Sequence, residues 1–472
     1  MITMSESLDS KPKLYYPLSL GIDNTSTSKV YNEIYNLLDT KGYSRFPYPK
    51  YAMTQSSGPG YRGMSTISKY LVSQIDKLGK ERVINLLRQL FPNDTKLNIL
   101  NRISTLGFYL GDKVELTKLL KDKLPNKWDS IIPYTVTIDK NEGEINVMNK
   151  INKIKSRKII AKPSFGQQGK GILISNDRQE ILDHIFSSNE NLWVISKYLD
   201  NPYLIKLNKR KILNKNESFN DKIGRKNHIR SYVLIVKNDN VLNIYLYKSS
   251  LIYCAVCEYG TCENKGINDK YCNLTNLYWA SEYYESNGLN PDDAYKDLSG
   301  KADQLIKSSD YFNIITQIKG IIIDSIYSAK DSLICLNDKK CFQYIAFDFH
   351  IENELNGPKV YLLEINATPG LKAPNFQWKD IGGLNNFLDN ILNITLDTKL
   401  NTNNKQLFEF LPIRKNDNKG DIQILNKISK LSINNCMQNN NYKELKELLK
   451  QMQYPGRSKL NTKKKMCKIL IK

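Results

Sequence analysis

The sequence predicts a mixed fold, rich in strands between 158 and 370 and helical on either side. Short apolar runs of strand length follow one another through the middle of the chain. Two of them, "QYIAFDFHI" (343–351) and "VYLLEINA" (360–367), flank "ENELNGPK", whose Asn-Gly-Pro is a turn signal, so an antiparallel hairpin is expected. Before them, apolar residues recur at three- and four-residue spacing, the signature of amphipathic helices.

In chain order, a polar lead and an irregular Gly/Pro loop, "TQSSGPGYRG" (54–63), precede a helical pattern over 67–91. A second helix is expected over 112–124, stopped by Pro125. Strands are expected at 130–138, 158–162, 171–175, 192–199, 229–236 and 242–248, then in the hairpin. Beyond 395 the composition turns to Asn- and Lys-rich helices such as 441–452. The end, 459–472, carries lysines and no acidic residue.

With 472 residues the chain is long enough for several domains, and 40% hydrophobic content with 25% charge fits a globular protein. No apolar leader follows Met1 and no run approaches the roughly 18 residues of a membrane span, so a cytoplasmic protein with no membrane partner is expected. Part of the Lys, Asn and Ile richness has the look of coding bias. Even so, the net charge of +21 favours polyanions: nucleic acid, an anionic membrane or an acidic protein surface. Eight cysteines without a leader suggest free thiols. Cys254 and Cys257 have zinc-like spacing, but Cys262 and Cys272 do not form a second clean pair.

The stretch "AKPSFGQQGKGILIS" (161–175) places three glycines between two strand-like runs. A Walker loop or a dinucleotide fingerprint needs a helix after its glycines, and here a strand follows. A hairpin with a glycine tip remains, either an ordinary turn or a lid over phosphates, with Lys162 just before it. On the second hairpin, Glu364 and Asn366 share one face and Asp348 lies on the partner strand. Two carboxylates and an amide oxygen form a hard donor set suited to Mg²⁺. Lys226, His228 and Arg230 alternate onto one face, where cations suit a transferring phosphoryl group.

Taken in order, "KPSFGQQGKGI", "ISKYLDNPYLI", "RKNHIRSYVLI", "YCNLTN", "FDF" and "LLEINATP" resemble the tubulin–tyrosine ligase-like proteins of the ATP-grasp superfamily over roughly 110–395. The resemblance implies an α+β, ATP-grasp fold in which two subdomains close over ATP. It divides the chain into an N-terminal region (1–95), a central subdomain with the glycine loop (96–225), a C-terminal subdomain with the metal site (226–395) and a helical Lys-rich extension (396–472). It also implies ATP and Mg²⁺ as cofactors. Lys162, Gln168 and Gly169 would contact phosphates, and Ser196, Lys197, Tyr198 and Leu199 would line the adenine pocket. Lys226, His228, Thr275 and Asn276 would complete the nucleotide site. Arg230, with Lys226, would stabilise the reacting centre, and Asp348, Glu364 and Asn366 would hold magnesium.

Two positions depart from the family pattern. Asn227-His228 stands where Phe-Asp is usual, and Lys248 stands where Arg is common. If Lys248 binds the α-carboxylate of a free amino acid together with Arg230, it lacks the bidentate fork. The expectation is an ATP-dependent ligase joining an amino acid, glutamate foremost, to an acidic acceptor such as the tail of tubulin, and associated with the cytoskeleton. Its alternative is a non-catalytic binder of microtubules or another acidic surface. Nucleic-acid binding has the charge in its favour but no recognised module.

Overall fold

The structure is a computed structural model. It describes residues 13–15, 37, 40, 43–45, 101–103, 105–164, 169–207, 224–238, 241–259, 270–334, 340–367, 369, 383–396 and 407–412. The loop expected at 54–63, the helices expected at 67–91 and 441–452, the basic end at 459–472, Gln168 and Cys262 lie outside them.

The smaller of the two main sheets is four-stranded: β1 (Thr135–Asp139), β2 (Ile159–Pro163), β3 (Leu173–Ser175) and β4 (Leu192–Lys197). It is antiparallel throughout, in the order β1-β4-β2-β3. The strand expected from residue 130 begins only at 135. Trp128–Ile131 is a turn of helix, and Ile132, extended ahead of Pro133, ends it. Helices α2 (Glu144–Ile151) and α3 (Arg178–Ser187) cover one face, packing Val147, Ile151, Ile181 and Ile185 against Ile159, Ala161, Trp193 and Ile195. Each aliphatic side chain buried there stabilises by about 2 kcal/mol. The glycine loop is the β2–β3 connection, as the sequence predicts.

The larger sheet has eight strands. Its main path is β8 (Ser299–Lys301), β7 (Leu251–Cys254), β5 (Asn227–Asn238), β9 (Lys340–Glu354) and β10 (Gly357–Asn366). Beside it, β6 (Val241–Tyr247) pairs with β5 and with β11 (Phe408–Leu411), and Asn101–Arg102 joins β9. Thus β11 adds a strand from within the span expected to be a helical extension. On β5 the alternation is clean. Ile229, Val233 and Ile235 pack with Ile314, Ile318 and Ile322 of α5 (Ser308–Ser328). Tyr232, Leu234 and Val236 face the other way, onto Phe387, Leu388 and Ile391 of α6 (Leu384–Leu396). Both faces are covered, which is why this strand reads as an apolar run.

The predicted hairpin is β9–β10, antiparallel, turning at the exposed Leu355 with Gly357 at φ 105°. Between the sheets the chain is fastened to β9. Tyr203 N–H donates to the Ile351 carbonyl at 2.9 Å, and Asn353 N–H to that of Asn201 at 2.8 Å.

Cys254 and Cys257 are not disulfide-bonded, and burial pushes the Cys254 thiol up to about 12. Cys272 and Cys341 are disulfide-bonded, which corrects the expectation of free thiols for those two. A cysteine count carries no information about which sulfurs come within bonding reach. Among the described residues no helix is long and apolar enough to cross a membrane.

Candidate active site

A cavity of about 150 Å³ lies between the two sheets. The smaller sheet contributes Lys162, Gly169, Ser196, Lys197, Tyr198 and Leu199; the larger contributes Lys226, His350, Leu362 and Glu364. Thr275 and Asn276, which precede α4 (Leu277–Ser286), close one side, and Lys113, the first residue of α1 (Lys113–Lys123), enters from another. Ile160, Ile172 and Val194 give the walls an apolar component.

The cavity gathers cations. Burial pulls Lys162 down to about 8; Glu364 opposes this and the charge of Lys113 adds to it. Burial likewise pulls Lys226 down to about 7, against the field of Glu352. The Lys226 ammonium donates to the Tyr198 hydroxyl at 2.7 Å and to the Leu199 carbonyl at 3.3 Å. The Tyr198 hydroxyl in turn donates its hydrogen bond to Asn273 Oδ1 at 2.9 Å. Buried ammonium groups that lack a full counter-charge are what a polyphosphate chain satisfies.

Beside the lysines lies the acidic cluster. Asp348 and Glu364 are register partners on β9 and β10, at a bulge that follows Asp348. Asn366 donates its amide N–H to Asp348 Oδ2 at 2.9 Å and to Glu364 Oε1 at 3.4 Å. Arg230 forks onto both oxygens of Asp348, and Lys113 reaches Glu364 Oε2 at 3.4 Å. Burial favours the neutral Asp348 carboxyl, but the charge and hydrogen bonds of Arg230 outweigh it and hold the group below its ordinary value. Among the described residues no three or more His, Cys, Asp or Glu side chains converge as a metal site. The donor chemistry of Asp348, Glu364 and Asn366 still fits a hard divalent cation that takes the rest of its shell from phosphate and water.

His228 is buried, stacked on Tyr253, with Nδ1 2.6 Å from Thr275 Oγ1 and Nε2 3.9 Å from Asp348 Oδ1. Burial depresses it to about 4, so it is neutral at pH 7 and supplies no charge there. Gly169 adopts φ 75°, and a Cβ on it would lie 2.7 Å from the indole nitrogen of Trp279, which itself makes no hydrogen bond. The backbone at the rim of the loop therefore approaches its neighbour as only glycine can.

Most of the residues singled out from sequence meet here. Lys162, Gly169, Ser196–Leu199, Lys226, Thr275, Asn276 and Glu364 line the cavity, while His228, Arg230, Asp348 and Asn366 adjoin it through the contacts above. Lys248 does not join them: it is exposed, outside the lining, with its backbone N–H on the Leu407 carbonyl. Sequence reasoning missed Lys113, whose position at the start of a helix gives no sign of a partner 251 residues away (364 − 113). It also missed His350, paired with Glu352 at 3.1 Å, although the two alternate with Asp348 along β9 and so share its face.

A mixed α/β protein with antiparallel sheets and a cationic cavity between them is the class that fold and site define. The sequence model of the tubulin-tyrosine ligase family matches residues 102–404, and the chain belongs to that family. Tubulin glycylase 3C of Tetrahymena thermophila is 27% identical over 233 residues, covering 45% of this chain and 18% of the relative. The probable alpha-tubulin polyglutamylase Ttll1 of the same organism is 27% identical over 258 residues, 51% of this chain and 54% of the relative. Tubulin polyglutamylase TTLL13 of Mus musculus is 26% identical over 259 residues, 51% and 28% respectively. The chain thus matches at most about half the length of these three.

Proposed function

We propose that the protein is an ATP-dependent ligase of ATP-grasp architecture that joins an amino acid, glutamate foremost, to a carboxylate in the acidic tail of tubulin. One observation carries the proposal: Lys113, Lys162 and Lys226 converge on a cavity that Glu364 also lines, and Asn366 ties Glu364 to Asp348 just behind it. Cations for phosphates beside hard oxygen donors are the equipment of phosphoryl transfer. The relatives named above, tubulin glycylases and polyglutamylases, support tubulin as the acceptor and the cytoskeleton as the place of work. The basic composition suits an acidic polymer.

The chemistry follows from the inertness of a carboxylate toward amines. An acceptor oxygen attacks the γ-phosphorus of ATP, the bond to the β-phosphate oxygen breaks, and ADP leaves. The amine of the incoming amino acid then attacks the acyl phosphate carbon, inorganic phosphate departs, and the amine proton passes to solvent. In this reading Lys162 and Lys226 orient the phosphates and Ser196–Leu199 frame the base. Arg230 faces the reacting phosphoryl, and Thr275 and Asn276 stand at the junction with the acceptor. Asp348, Glu364 and Asn366 would hold magnesium, which supplies charge neutralisation for the transferring group.

A second reading, a non-catalytic binder of acidic surfaces, draws on Arg230 saturating Asp348 and on neutral His228 standing where the family has Asp. The two separate when labelled glutamate, glycine and tyrosine are offered singly with Mg-ATP and microtubules, with Glu364→Gln as control. Label transferred only by the unmutated protein supports the ligase and identifies its amino acid. Microtubule binding by both proteins with no label from any amino acid supports the binder and sinks the ligase.

A further inference from the structure

The residues flanking two of the cavity lysines are hydrogen-bonded to each other. Asp112 is the N-cap of α1, its Oδ1 accepting from Val114 N–H at 2.9 Å and Glu115 N–H at 3.0 Å. The same oxygen accepts the Ser164 hydroxyl at 2.6 Å, across 52 residues of chain. Both side chains are shut away from water, 1% and 2% exposed. Lys113 follows Asp112 directly. Lys162 lies two residues before Ser164, where β2 hands over to the glycine loop.

An N-cap needs only the N–H groups of its own helix. This one takes a third donor from another element, and that donor is itself anchored, its N–H bonded to the Leu192 carbonyl at 2.8 Å. On the opposite side, a Cβ at Gly111 would sit 2.7 Å from the Gly107 carbonyl oxygen, so the approach to α1 has no slack. Two ammonium groups facing one cavity repel each other, and their long side chains cannot fix the separation of their backbones.

We propose that the Asp112–Ser164 hydrogen bond is a positioning device that sets the spacing of Lys113 and Lys162, so that both meet the phosphates of a single nucleotide. The inference rests on the nucleotide-dependent ligase reading above and adds two residues that act through the lysines rather than on the ligand.

Three variants separate positioning from helix capping. Ser164→Ala leaves the cap intact and removes only the cross-link. Asp112→Asn keeps an acceptor oxygen, and its amide replaces an oxygen, Oδ2, that makes no hydrogen bond. Asp112→Ala removes cap and cross-link together. Calorimetry on the full chain would measure binding of a magnesium-bound, non-hydrolysable ATP analogue and of adenosine, with Tm recorded for each variant. Ser164→Ala and Asp112→Ala should each weaken the analogue about tenfold and leave adenosine unchanged. Asp112→Asn should stay within about twofold of the unmutated protein, because Asn caps as well as Asp. Asp112→Ala should show the largest fall in Tm.

Ser164→Ala binding the analogue as tightly as the unmutated protein overturns the inference and leaves the ligase reading standing. Equal weakening of analogue and adenosine also overturns it, because that is general loosening. If the unmutated protein fails to bind the analogue, the nucleotide reading falls and this inference falls with it.

Discussion

Arg230 holds both carboxylate oxygens of Asp348, Nε at 2.7 Å from Oδ1 and Nη2 at 2.6 Å from Oδ2. The fork links β5 to β9 and leaves the Asp348 side chain 5% exposed. Removing one partner of a buried pair strands the other charge, whereas removing both does not. Arg230→Ala should therefore cost about 3 kcal/mol in urea unfolding. Adding Asp348→Asn to that variant should recover part of the loss. A change below about 0.5 kcal/mol for Arg230→Ala would mean that the pair is as weak as a surface bridge.

Polyphosphate affinity should fall as pH rises. Lys226 and Lys162 lie at about 7 and about 8 in the ligand-free protein, so raising pH from 6 to 9 removes cations that a phosphate chain needs. Above its pKa each lysine contributes up to about tenfold per pH unit. Folding stability should move the other way. The unfolded chain keeps the Lys226 proton up to about 10.5, so this group's cost to the fold is present below 7 and relieved between 7 and 10.5. Titrating analogue affinity against pH for the unmutated protein and Lys226→Met tests both statements, together with matching unfolding curves. An unchanged slope in the variant would refute the assignment.

Acid should unfold the protein in a definite window. Burial is the main reason that His228 and His350 both lie at about 4; Asp348 opposes it for the first and the Glu352 hydrogen bond for the second. In the unfolded chain both bind protons near 6.5, so stability drains away as pH falls from 6.5 toward 4. Its slope should approach about 1.4 kcal/mol per pH unit for each histidine. Asp348, held below its ordinary 3.8, adds its own loss only at lower pH. His350→Gln should keep a donor for Glu352 and roughly halve the slope between 6 and 4.5. Parallel curves for the two proteins would count against the buried-neutral reading of His350.

Gly169→Ala should harm nucleotide binding more than its size implies. The residue sits at φ 75°, and the added methyl would meet the Trp279 indole nitrogen at 2.7 Å. A positive φ alone costs a non-glycine residue about 1 kcal/mol, and displacing the indole adds to that. Calorimetry should find the ATP analogue at least about fivefold weaker. Gly143, also at positive φ but with nothing within 4 Å of an added Cβ, is the matched control and should leave affinity unchanged as Gly143→Ala.

The sequence by itself determined what depends on neighbours along the chain. Alternation marked β5, β9 and β10, and the Asn-Gly turn joined the last two as a hairpin. The register set by the turn would continue to Leu363 opposite Asp348, and the bulge that follows Asp348, which the sequence does not mark, is what brings Glu364 there instead. It likewise marked the glycine hairpin and the helix that Asp112 caps. Tertiary structure alone decided which side chains meet across elements: that Arg230 closes Asp348, that Lys113 reaches Glu364, and that Lys248, adjacent in sequence to a buried strand, stays outside the cavity. It also decided that His228 and His350 are neutral and that Lys226 lies near 7. The reason is physical. Strand periodicity and turn chemistry are local, whereas desolvation and charge pairing depend on the packing of distant segments, for which a single sequence carries no pattern.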